Sequence, residues 1–279
     1  MKLFRLRSLN DYKQHIERNK PNYAQMRQYE AGISGNPTRE FTVPGFSYPA
    51  NQQVEFKVDY LYSDGKNINW RERLICPVTG LNNRLRCSIH IFDFELTPYP
   101  GSKIYLTEAV TPLYQNLSDR FENIIGSEYL GEQFKPGEIK NNIRHEDMTR
   151  LSFKDEAMDF YLSFECFEHI PFYEKAISEV YRVLRKGGMF LGSFPFDRNR
   201  ANNLVKATVN ESGEIIYFME PEYHGDPVNE KGILCYTIFG WEVLEQFRRA
   251  GFRDVYTILL WSDVFGYLGG EQVLFIAKK

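Results

Sequence analysis

The stretch 158–195 constrains the fold of this chain more than any other part of the sequence. Residues 158–164 form a short apolar run rich in aromatic side chains, which is typical of a buried strand. Pro171 favours the start of a helix, and a pair of glycines supplies its end before a second strand at 189–194. The apolar stripe of this helix consists of Ile177, Val180, Tyr181 and Leu184. The stretch therefore predicts a parallel strand–helix–strand unit with a right-handed crossover.

Polar side chains come directly after the first of these strands. They are Glu165, Glu168 and His169, and Pro195 and Phe196 follow the second strand in the same way. In an open parallel sheet, ligands bind beyond the carboxyl ends of the strands. The sequence therefore predicts a binding site at this edge of the sheet.

The composition narrows the class of protein. At 279 residues, the chain can bury a sizeable core as one large domain or as one domain with an appendage. A formal net charge of −3 gives no general reason to expect nucleic acid or an anionic membrane as a partner. No stretch is apolar enough to span a membrane, and the first residues do not resemble a secretory signal. The four cysteines form no CxxC pair, so a reducing, cytoplasmic setting is expected. The oligomeric state is left open.

Changes in residue pattern divide the chain into parts. Residues 1–40 are polar and predict a helical arm, whereas 41–100 carry turn signals between short strand-like runs and predict a small β-rich module. Alternating strand and helix patterns over 101–279 predict the main α/β domain. Within that domain, 197–236 is too long for a simple connector and predicts a lid that carries a hairpin near residues 204–219.

The first strands of the main domain are predicted from short apolar runs. They lie at 104–106, 123–127 and 139–145, and the third is less regular than the others. A helix is expected between the first two strands, because Thr111 and Pro112 form a good N-cap and first helical position.

The strand–helix–strand unit resembles class I S-adenosylmethionine (SAM)-dependent methyltransferases of the small-molecule type 11 kind. Asp159 lies in the first strand, Glu168-His169-Ile170 follows it, and the run RVLRKGG at 182–188 leads into the second strand, in that family's order and spacing. The resemblance implies a Rossmann-like, doubly wound, mostly parallel seven-stranded sheet with SAM as the cofactor. The first and fourth strands of the domain should then be parallel neighbours.

The loop after the first strand departs from the usual pattern of this family. Glycines there normally let the backbone approach the methionine part of SAM, but this chain has YLTEAVTP at 105–112, without a glycine. It is similar to a subset of these methyltransferases with a Y-L-T-E-x-V-T-P-L-Y run, in which Glu108 would hold the ammonium group of SAM. The alternative is a closed loop in which Glu108 is a surface or helix-terminus acid.

The resemblance implies further cofactor contacts on the next two strands. Glu128, at the end of the second strand, would accept hydrogen bonds from the ribose hydroxyls, with Tyr129 against the adenine face. Asp147, in the run HEDMT after the third strand, would accept a hydrogen bond from the adenine amino group, with Met148 beside it.

The turn after the fourth strand is expected to border both cofactor and acceptor. By resemblance, Phe164 and Glu165 would lie beside the methionine part of SAM. His169 is the first candidate for a general base, because an unperturbed imidazole titrates near pH 6.5, and it could instead orient the loop. His224, in the predicted lid, is the second candidate base.

Other polar residues of the predicted lid surround His224. Glu222, Tyr223 and Asp226 lie within the same five residues and are predicted to bind the methyl acceptor, although GDP is also ordinary turn sequence. A metal site formed by Glu222, His224 and Asp226 is an alternative that lacks any further spaced histidine or cysteine.

The run 74–84 resembles a damaged zinc knuckle, as found in small zinc-binding modules that precede some methyltransferases of this kind. Zinc knuckles commonly pair ligands as C-x2-C, but Thr79 stands where a partner for Cys76 would be. The turn at 44–49, where a first knuckle would fall, has no cysteine. No metal is therefore expected, and 41–100 is predicted to be a metal-free, zinc-ribbon-like remnant.

The leading functional hypothesis is a SAM-dependent methyltransferase that acts on a small-molecule or glycan-type acceptor. The glycan option rests on the resemblance, since such relatives are often attached to glycosyltransferase or polysaccharide systems. The alternative is a catalytically inactive, methyltransferase-like scaffold or partner-binding protein that has lost SAM together with its glycines. A nicotinamide-linked oxidoreductase is disfavoured, because the G-x-G-x-x-G turn is absent.

Overall fold

The computed structural model of the protein describes residues 2–35, 38–226 and 229–279, and only the backbone at 226 and 229–231. The described helices are α1 (Leu9–Arg18), α2 (Lys20–Ser34), α3 (Asn83–Ile91), α4 (Pro112–Ser118), α5 (Tyr173–Val183) and α6 (Glu242–Arg249). The described strands are β1 (Lys2–Leu6), β2 (Phe41–Ser47), β3 (Gln52–Val58), β4 (Ile104–Leu106), β5 (Ile124–Gly126), β6 (Ile139–Lys140), β7 (Ile143–Arg144), β8 (Met158–Phe164), β9 (Leu184–Ser193), β10 (Leu204–Val205), β11 (Ala207–Val209), β12 (Ile215–Tyr217), β13 (Tyr223–Asp226), β14 (Asn229–Leu234), β15 (Thr237–Ile238), β16 (Asp254–Ser262) and β17 (Tyr267–Lys278).

A mixed seven-stranded sheet is the main framework. Its strand order is β1-β16-β17-β9-β8-β4-β5. The strands β9, β8, β4 and β5 run parallel to one another, whereas β17 is antiparallel to β9 and β1 is antiparallel to β16. Ile104 of β4 lies opposite Phe160 of β8 in parallel register, so the predicted adjacency of the first and fourth strands of the domain is confirmed. The predicted Rossmann-like α/β class is also confirmed, with its parallel strands gathered on one side of the sheet.

Two strands differ from the sequence prediction. The expected third strand at 139–145 is a two-residue hairpin, β6–β7, outside the large sheet. Asn141 and Asn142 both have positive φ angles, 51° and 62°, and this left-handed pair forms the tight turn between the two short strands. The seventh strand of the sheet is instead β1, from the predicted helical arm, where Leu6 lies opposite Thr257.

The helix of the 158–195 stretch ends earlier than its glycines suggest. Helix α5 ends at Val183, and Leu184 enters the sheet opposite Met158. Gly187, with φ of 76°, lies within β9 where the register with β8 shifts, so this glycine serves an irregularity in the strand and not a helix cap. The buried stripe of α5 consists of Tyr173, Ala176, Ile177, Val180 and Val183.

The chain divides into two compact units. Unit 1 comprises 1–6, 10–99 and 257–274, and unit 2 comprises 7–9, 100–256 and 275–279. Unit 1 contains α1–α3 and the β2–β3 hairpin around a core of apolar side chains. This core consists of Val43, Phe56, Val58, Leu74, Cys76 and Leu268. None of the helices in the described parts of the chain has the length and apolarity needed to cross a bilayer.

The run 74–84, which resembles a damaged zinc knuckle, forms a hydrogen-bonded turn at 76–81 in unit 1. The N–H of Gly80 donates to the carbonyl of Cys76 at 2.9 Å, and the N–H of Cys76 donates to the carbonyl of Leu81 at 2.9 Å. Although burial opposes ionisation, the nearby polar groups of Ser47, Thr79 and the backbone lower the pKa of the Cys76 thiol overall. Hydroxyl groups therefore surround Cys76 where a zinc knuckle would have further thiolates.

A buried histidine in unit 1 predicts acid sensitivity. His90 is 6% exposed, its ring stacks on Tyr48 with centroids 3.9 Å apart, and Nδ1 lies 3.0 Å from the Tyr267 hydroxyl. Burial lowers the pKa of His90 to about 4, although Asp93 acts in the opposite direction. The unfolded chain binds a proton near pH 6.5, so stability is unaffected above that pH and falls as the pH drops towards 4.

We expect unit 1 to lose roughly 2 kcal/mol of unfolding free energy from this histidine between pH 7 and pH 4.5. Urea denaturation at the two pH values, followed by tryptophan fluorescence, measures the loss. In His90→Gln, which cannot titrate, the pH dependence should shrink by that amount. An identical pH dependence in the variant would contradict the assignment.

Candidate active site at the carboxyl ends of the parallel strands

The carboxyl ends of β4 and β8 are joined by a hydroxyl pair. Thr107 follows β4, donates its hydroxyl hydrogen to Ser163 Oγ at 3.0 Å, and donates its backbone N–H to the Leu162 carbonyl at 3.1 Å. Cys166 Sγ lies 3.2 Å from Thr107 Oγ1, and burial raises the pKa of this thiol well above its usual value. This cysteine is therefore a neutral packing group. The hydrogen-bonded ends of β4 and β8 form the base of the site.

Glu128 fixes the glycine-free loop after β4. Its Oε1 accepts hydrogen bonds from the backbone N–H groups of Ala109 at 2.7 Å and Val110 at 3.1 Å. Thr111 then caps α4 by accepting the N–H of Tyr114 at 3.3 Å, as predicted. These contacts satisfy backbone donors that precede and begin the helix. The acid at the end of the second strand thus holds the loop of the first strand in place.

Gly126 lets this loop approach the second strand. A Cβ atom at this position would lie 2.6 Å from the Glu108 carbonyl oxygen and 2.6 Å from Cε2 of Tyr114. Real Cβ atoms do not approach a backbone oxygen so closely, so only glycine fits here. Gly126 therefore permits close packing between the loop after β4 and strand β5.

The predicted adenine-binding residues lie on two adjoining segments. Glu128 and His145 form a parallel bridge that joins these segments, and Tyr129 lies with its ring centroid 5.4 Å from that of His145. Tyr129 is 53% exposed, and burial of part of its ring raises its pKa. Asp147 Oδ1 accepts hydrogen bonds from the N–H of Thr149 at 2.8 Å and from its hydroxyl at 2.7 Å. These two bonds fix the turn. Met148 is half-buried beside it.

The turn after β8 has an unusual backbone. Glu165 has a φ of 55°, a left-handed conformation that is uncommon for a residue other than glycine. Its N–H donates to the Ser193 carbonyl at 2.8 Å, and Oε1 accepts the Ser193 hydroxyl at 2.7 Å. Such conformations are kept where the surroundings enforce them, and they cluster at functional sites. Phe164 before it is 5% exposed and belongs to the core.

Glu168 gathers both predicted histidines. Its Oε1 lies 3.6 Å from His169 Nε2 and 3.7 Å from His224 Nδ1. The two imidazole rings have centroids 5.1 Å apart and stand nearly perpendicular. Glu168 is fully buried, and this burial raises its pKa. The structure therefore brings His224 from the predicted lid to the edge of the sheet, beside the turn that carries His169.

Backbone contacts attach one strand of the predicted lid to this turn. The N–H of Tyr236 donates to the Glu168 carbonyl at 2.7 Å, and His169 Nδ1 lies 2.9 Å from the Leu234 carbonyl. The lid contains the predicted hairpin as β11–β12, with Thr208 opposite Ile216. A second hairpin, β13–β14, presents His224.

The predicted acceptor residues lie on or beside this second hairpin. Glu222 pairs with Lys206, which lowers the pKa of the Glu222 carboxyl, and its Oε1 lies 3.3 Å from His224 Nε2. Tyr223 is 56% exposed. The backbone of Asp226 ends β13, and the side chain of this residue lies outside the described part of the chain.

Several residues of this edge were not identified from the sequence as functional. The pair of Thr107 and Ser163 gives no local signal, because its role depends on which strands are neighbours. Glu168 was placed at the edge without a role, since its burial depends on lid residues more than sixty positions later. The string GSE at 126–128 could have identified Gly126 as a site of close backbone approach.

Comparison with known proteins identifies this part of the chain. Residues 113–192 match the family model described as "Methyltransferase domain". The match runs from α4 into β9 and includes Glu128, Asp147 and the turn at Glu165. Residues 113–192 are therefore similar to methyltransferase domains. SAM is the cofactor that this assignment carries.

Individual relatives of the methyltransferase domain are distant or short. A protein of Mycolicibacterium smegmatis described as "Probable S-adenosylmethionine-dependent methyltransferase" is 39% identical over 54 residues, which are 19% of this chain and 21% of that protein. The chain therefore matches about a fifth of the length of this curated relative.

Solved structures similar to this chain include a SAM-dependent methyltransferase from Mesorhizobium loti. It is 14% identical, with a TM-score of 0.40 over 67% of this chain and 97% of that one. Another is the Burkholderia thailandensis 1,6-didemethyltoxoflavin-N1-methyltransferase, solved with S-adenosylhomocysteine. It is 15% identical, with a TM-score of 0.41 over 70% of this chain and 78% of that one.

Proposed function

We propose that this protein transfers a methyl group from SAM to a small-molecule or glycan-type acceptor at the carboxyl edge of β4, β5 and β8. The observation that carries the proposal is the double role of Glu128, which ends the second strand and also holds the loop of the first strand. It gives a glycine-free loop the fixed, close position that a SAM site of this fold requires.

The residues at this edge fit SAM by their chemistry. SAM offers an ammonium group, two ribose hydroxyls and an adenine amino group, which are all hydrogen-bond donors. The three acids Glu108, Glu128 and Asp147 are spread over the loops that follow the first three predicted strands, in that order. Carboxylates only accept when ionised, so they suit these donors.

Each predicted contact is retained as part of the proposal. Glu108 binds the ammonium group, Glu128 the ribose and Asp147 the adenine amino group. Tyr129 and Met148 flank the adenine. Phe164 and Glu165 lie beside the methionine part of SAM. When bound, SAM supplies an electrophilic methyl group. The main task of the protein is then to position the acceptor in line and to exclude water.

The lid supplies the acceptor side of the site. Glu222, Tyr223 and Asp226 are proposed to bind the acceptor. Exposed apolar and aromatic side chains on the same lid add a surface on which a sugar or aromatic ring can pack. They are Ile215, Ile216, Tyr217, Phe218 and Met219.

His169 and His224 are retained as the catalytic pair, at the edge where the acceptor is proposed to bind. Both rings also face Glu168, and each has a further protein contact, to the Leu234 carbonyl and to Glu222 respectively. This geometry favours a role in which the two fixed rings orient the acceptor. It is less suited to a single histidine acting as a free general base.

Two measurements test the function. Calorimetry with S-adenosylhomocysteine should show one site per chain, and labelled SAM should transfer methyl groups to a member of a panel of sugars, nucleotide sugars, amines and phenols. Absence of S-adenosylhomocysteine binding by the folded protein would leave the second candidate, an inactive methyltransferase-like scaffold or partner-binding protein. This candidate is motivated by the first loop, which has no glycine.

Asp147→Asn separates the two roles of this side chain. Asparagine keeps the Oδ1 acceptor that fixes the local turn but removes the carboxylate that faces the adenine amino group. We expect S-adenosylhomocysteine affinity to fall by about 10- to 100-fold, the effect of roughly 1–3 kcal/mol. Asp155→Asn, with a side chain 77% exposed, is the matched control and should leave affinity unchanged. Equal affinities for the two variants would remove Asp147 from the site.

A further inference from the structure

Glu168 is a buried carboxylate, and no donor of the described residues lies within hydrogen-bond distance of its oxygens. Its relative exposure is 0%, and neither Oε1 nor Oε2 makes a hydrogen bond to any residue that the structure describes. Leaving an ionisable group in this state is costly, so buried carboxylates are normally paired, hydrogen-bonded or bound to a metal ion. Among the described residues, the oxygens of Glu168 therefore have only longer contacts, to two histidine rings.

The groups nearest to Glu168 are two imidazole nitrogens at the spacing of metal ligands. Oε1 lies 3.6 Å from His169 Nε2 and 3.7 Å from His224 Nδ1, and all three ligand atoms fit within 4.8 Å of one another. Ligand atoms about 2.1 Å from a tetrahedral zinc ion are separated from each other by roughly 3.4 Å. The distances exceed hydrogen-bond length but match this separation.

Contacts on the far side of each ring orient the nitrogens towards Glu168. The Leu234 carbonyl can only accept, so His169 carries its hydrogen on Nδ1, 2.9 Å away, and Nε2 presents a lone pair. Glu222 likewise accepts from His224 Nε2 at 3.3 Å, so Nδ1 of the neutral ring presents a lone pair. Histidines that bind metals usually donate their other N–H to a backbone carbonyl or a carboxylate in this way.

Two imidazole lone pairs and a carboxylate this close together repel one another unless a proton or a metal ion lies between them. We propose that Glu168, His169 and His224 bind a divalent transition-metal ion of the Zn²⁺ class. Two imidazoles and one carboxylate suit zinc and similar ions, whereas magnesium and calcium prefer oxygen ligands. Three protein ligands leave a coordination position open for water or for an oxygen atom of the methyl acceptor.

This site is distinct from the knuckle-like turn of unit 1. Its ligands come from the turn after β8 and from β13, which are adjacent in space but fifty-five residues apart in sequence. No C-x2-C or similar spacing in the sequence therefore predicts this site. The proposal does not depend on the proposed function, because metal binding can be measured without SAM or an acceptor.

Metal analysis and calorimetry test the proposal. The untagged protein, stripped with a chelator, is titrated with Zn²⁺ and then assayed for bound metal. We expect one zinc per chain, and Glu168→Gln and His224→Gln should each weaken binding at least 100-fold. Glu222→Gln, which alters only the outer contact of His224, should weaken it by about 10- to 100-fold. Cys76→Ser, at the knuckle-like turn, should bind zinc as the wild type does.

Other outcomes would overturn the assignment. They are no zinc bound by the folded wild type, undiminished binding by His224→Gln, or loss of binding in Cys76→Ser. His224 is partly exposed on a hairpin, so its substitution keeps the test valid if Glu168→Gln fails to fold. Cobalt substitution provides a further test, because a thiolate charge-transfer band would assign the ion to Cys235 with Glu222 and His224 instead. S-adenosylhomocysteine affinity should not change on chelation, so failure of the metal site and failure of the cofactor site can be distinguished.

Discussion

Gly126→Ala is expected to abolish cofactor binding at practical concentrations, with S-adenosylhomocysteine affinity falling roughly 100-fold. The added methyl group would lie 2.6 Å from the Glu108 carbonyl oxygen. A backbone oxygen cannot swing away as a side chain can, so the loop after β4 must move as a whole. That movement separates Ala109 and Val110 from Glu128 and displaces the acids proposed to bind the cofactor. Overpacking of this kind typically costs about 1–3 kcal/mol of unfolding free energy as well.

Calorimetry and thermal unfolding of the Gly126→Ala variant measure these two effects. Gly32→Ala is the matched control, because a Cβ atom at Gly32 meets nothing within 4 Å and this residue lies inside α2. The control should keep wild-type affinity and gain up to about 1 kcal/mol of stability from the higher helix propensity of alanine. Wild-type affinity in Gly126→Ala would show that the first loop does not form the cofactor site.

Arg86→Met is expected to destabilise unit 1 by roughly 3–5 kcal/mol. The Arg86 side chain is fully buried, and its guanidinium donates to the carbonyls of Phe265 at 2.6 Å and Gly266 at 3.0 Å. The charge also lies 3.7 Å from the centroid of the Phe56 ring. Burial lowers the pKa of Arg86 to about 10, so it remains charged at neutral pH. Methionine fills similar space but leaves both carbonyls without their donor.

The matched control for this variant lies on the same helix. Arg84 pairs with the partly exposed carboxylate of Glu72, with its Nε 3.0 Å from Oε1, and Arg84→Met should cost about 1 kcal/mol. Urea denaturation followed by tryptophan fluorescence reports mainly on unit 1, which contains Trp70 and Trp261. Equal losses of unfolding free energy in the two variants would show that the cost of burying the Arg86 charge offsets the stabilisation from its hydrogen bonds.

Local patterns in the sequence were sufficient where the structure depends on neighbours along the chain. Thr111 and Pro112 predicted the start of α4, and apolar runs predicted the strands β4 and β8. Their parallel adjacency was implied by the resemblance to the methyltransferase family. The prediction of a strand at 139–145 was wrong, because two adjacent asparagines there adopt left-handed conformations. This turn outweighed the apolar residues on either side.

The candidate site depended more on long-range contacts. The order of acids in the chain suggested Glu128 and Asp147, but no pattern indicated that Glu128 would hold the loop after β4. The burial of Glu168 and its proximity to His224 result from the return of the lid to the sheet. Sequence spacing does not encode such a contact, so only the folded chain reveals the three-residue cluster.

The pairing of β1 with β16 has a consequence for how the protein is made. Leu6 lies opposite Thr257, so about 250 residues separate these partners along the chain. The core of unit 1 also needs Leu268, and Arg86 needs carbonyl groups at 265–266. At roughly 5–20 residues per second, the ribosome takes tens of seconds to supply those partners. During that interval, the hairpin β2–β3 and helix α3 lack these partners and expose apolar surface, a state in which molecular chaperones bind nascent chains.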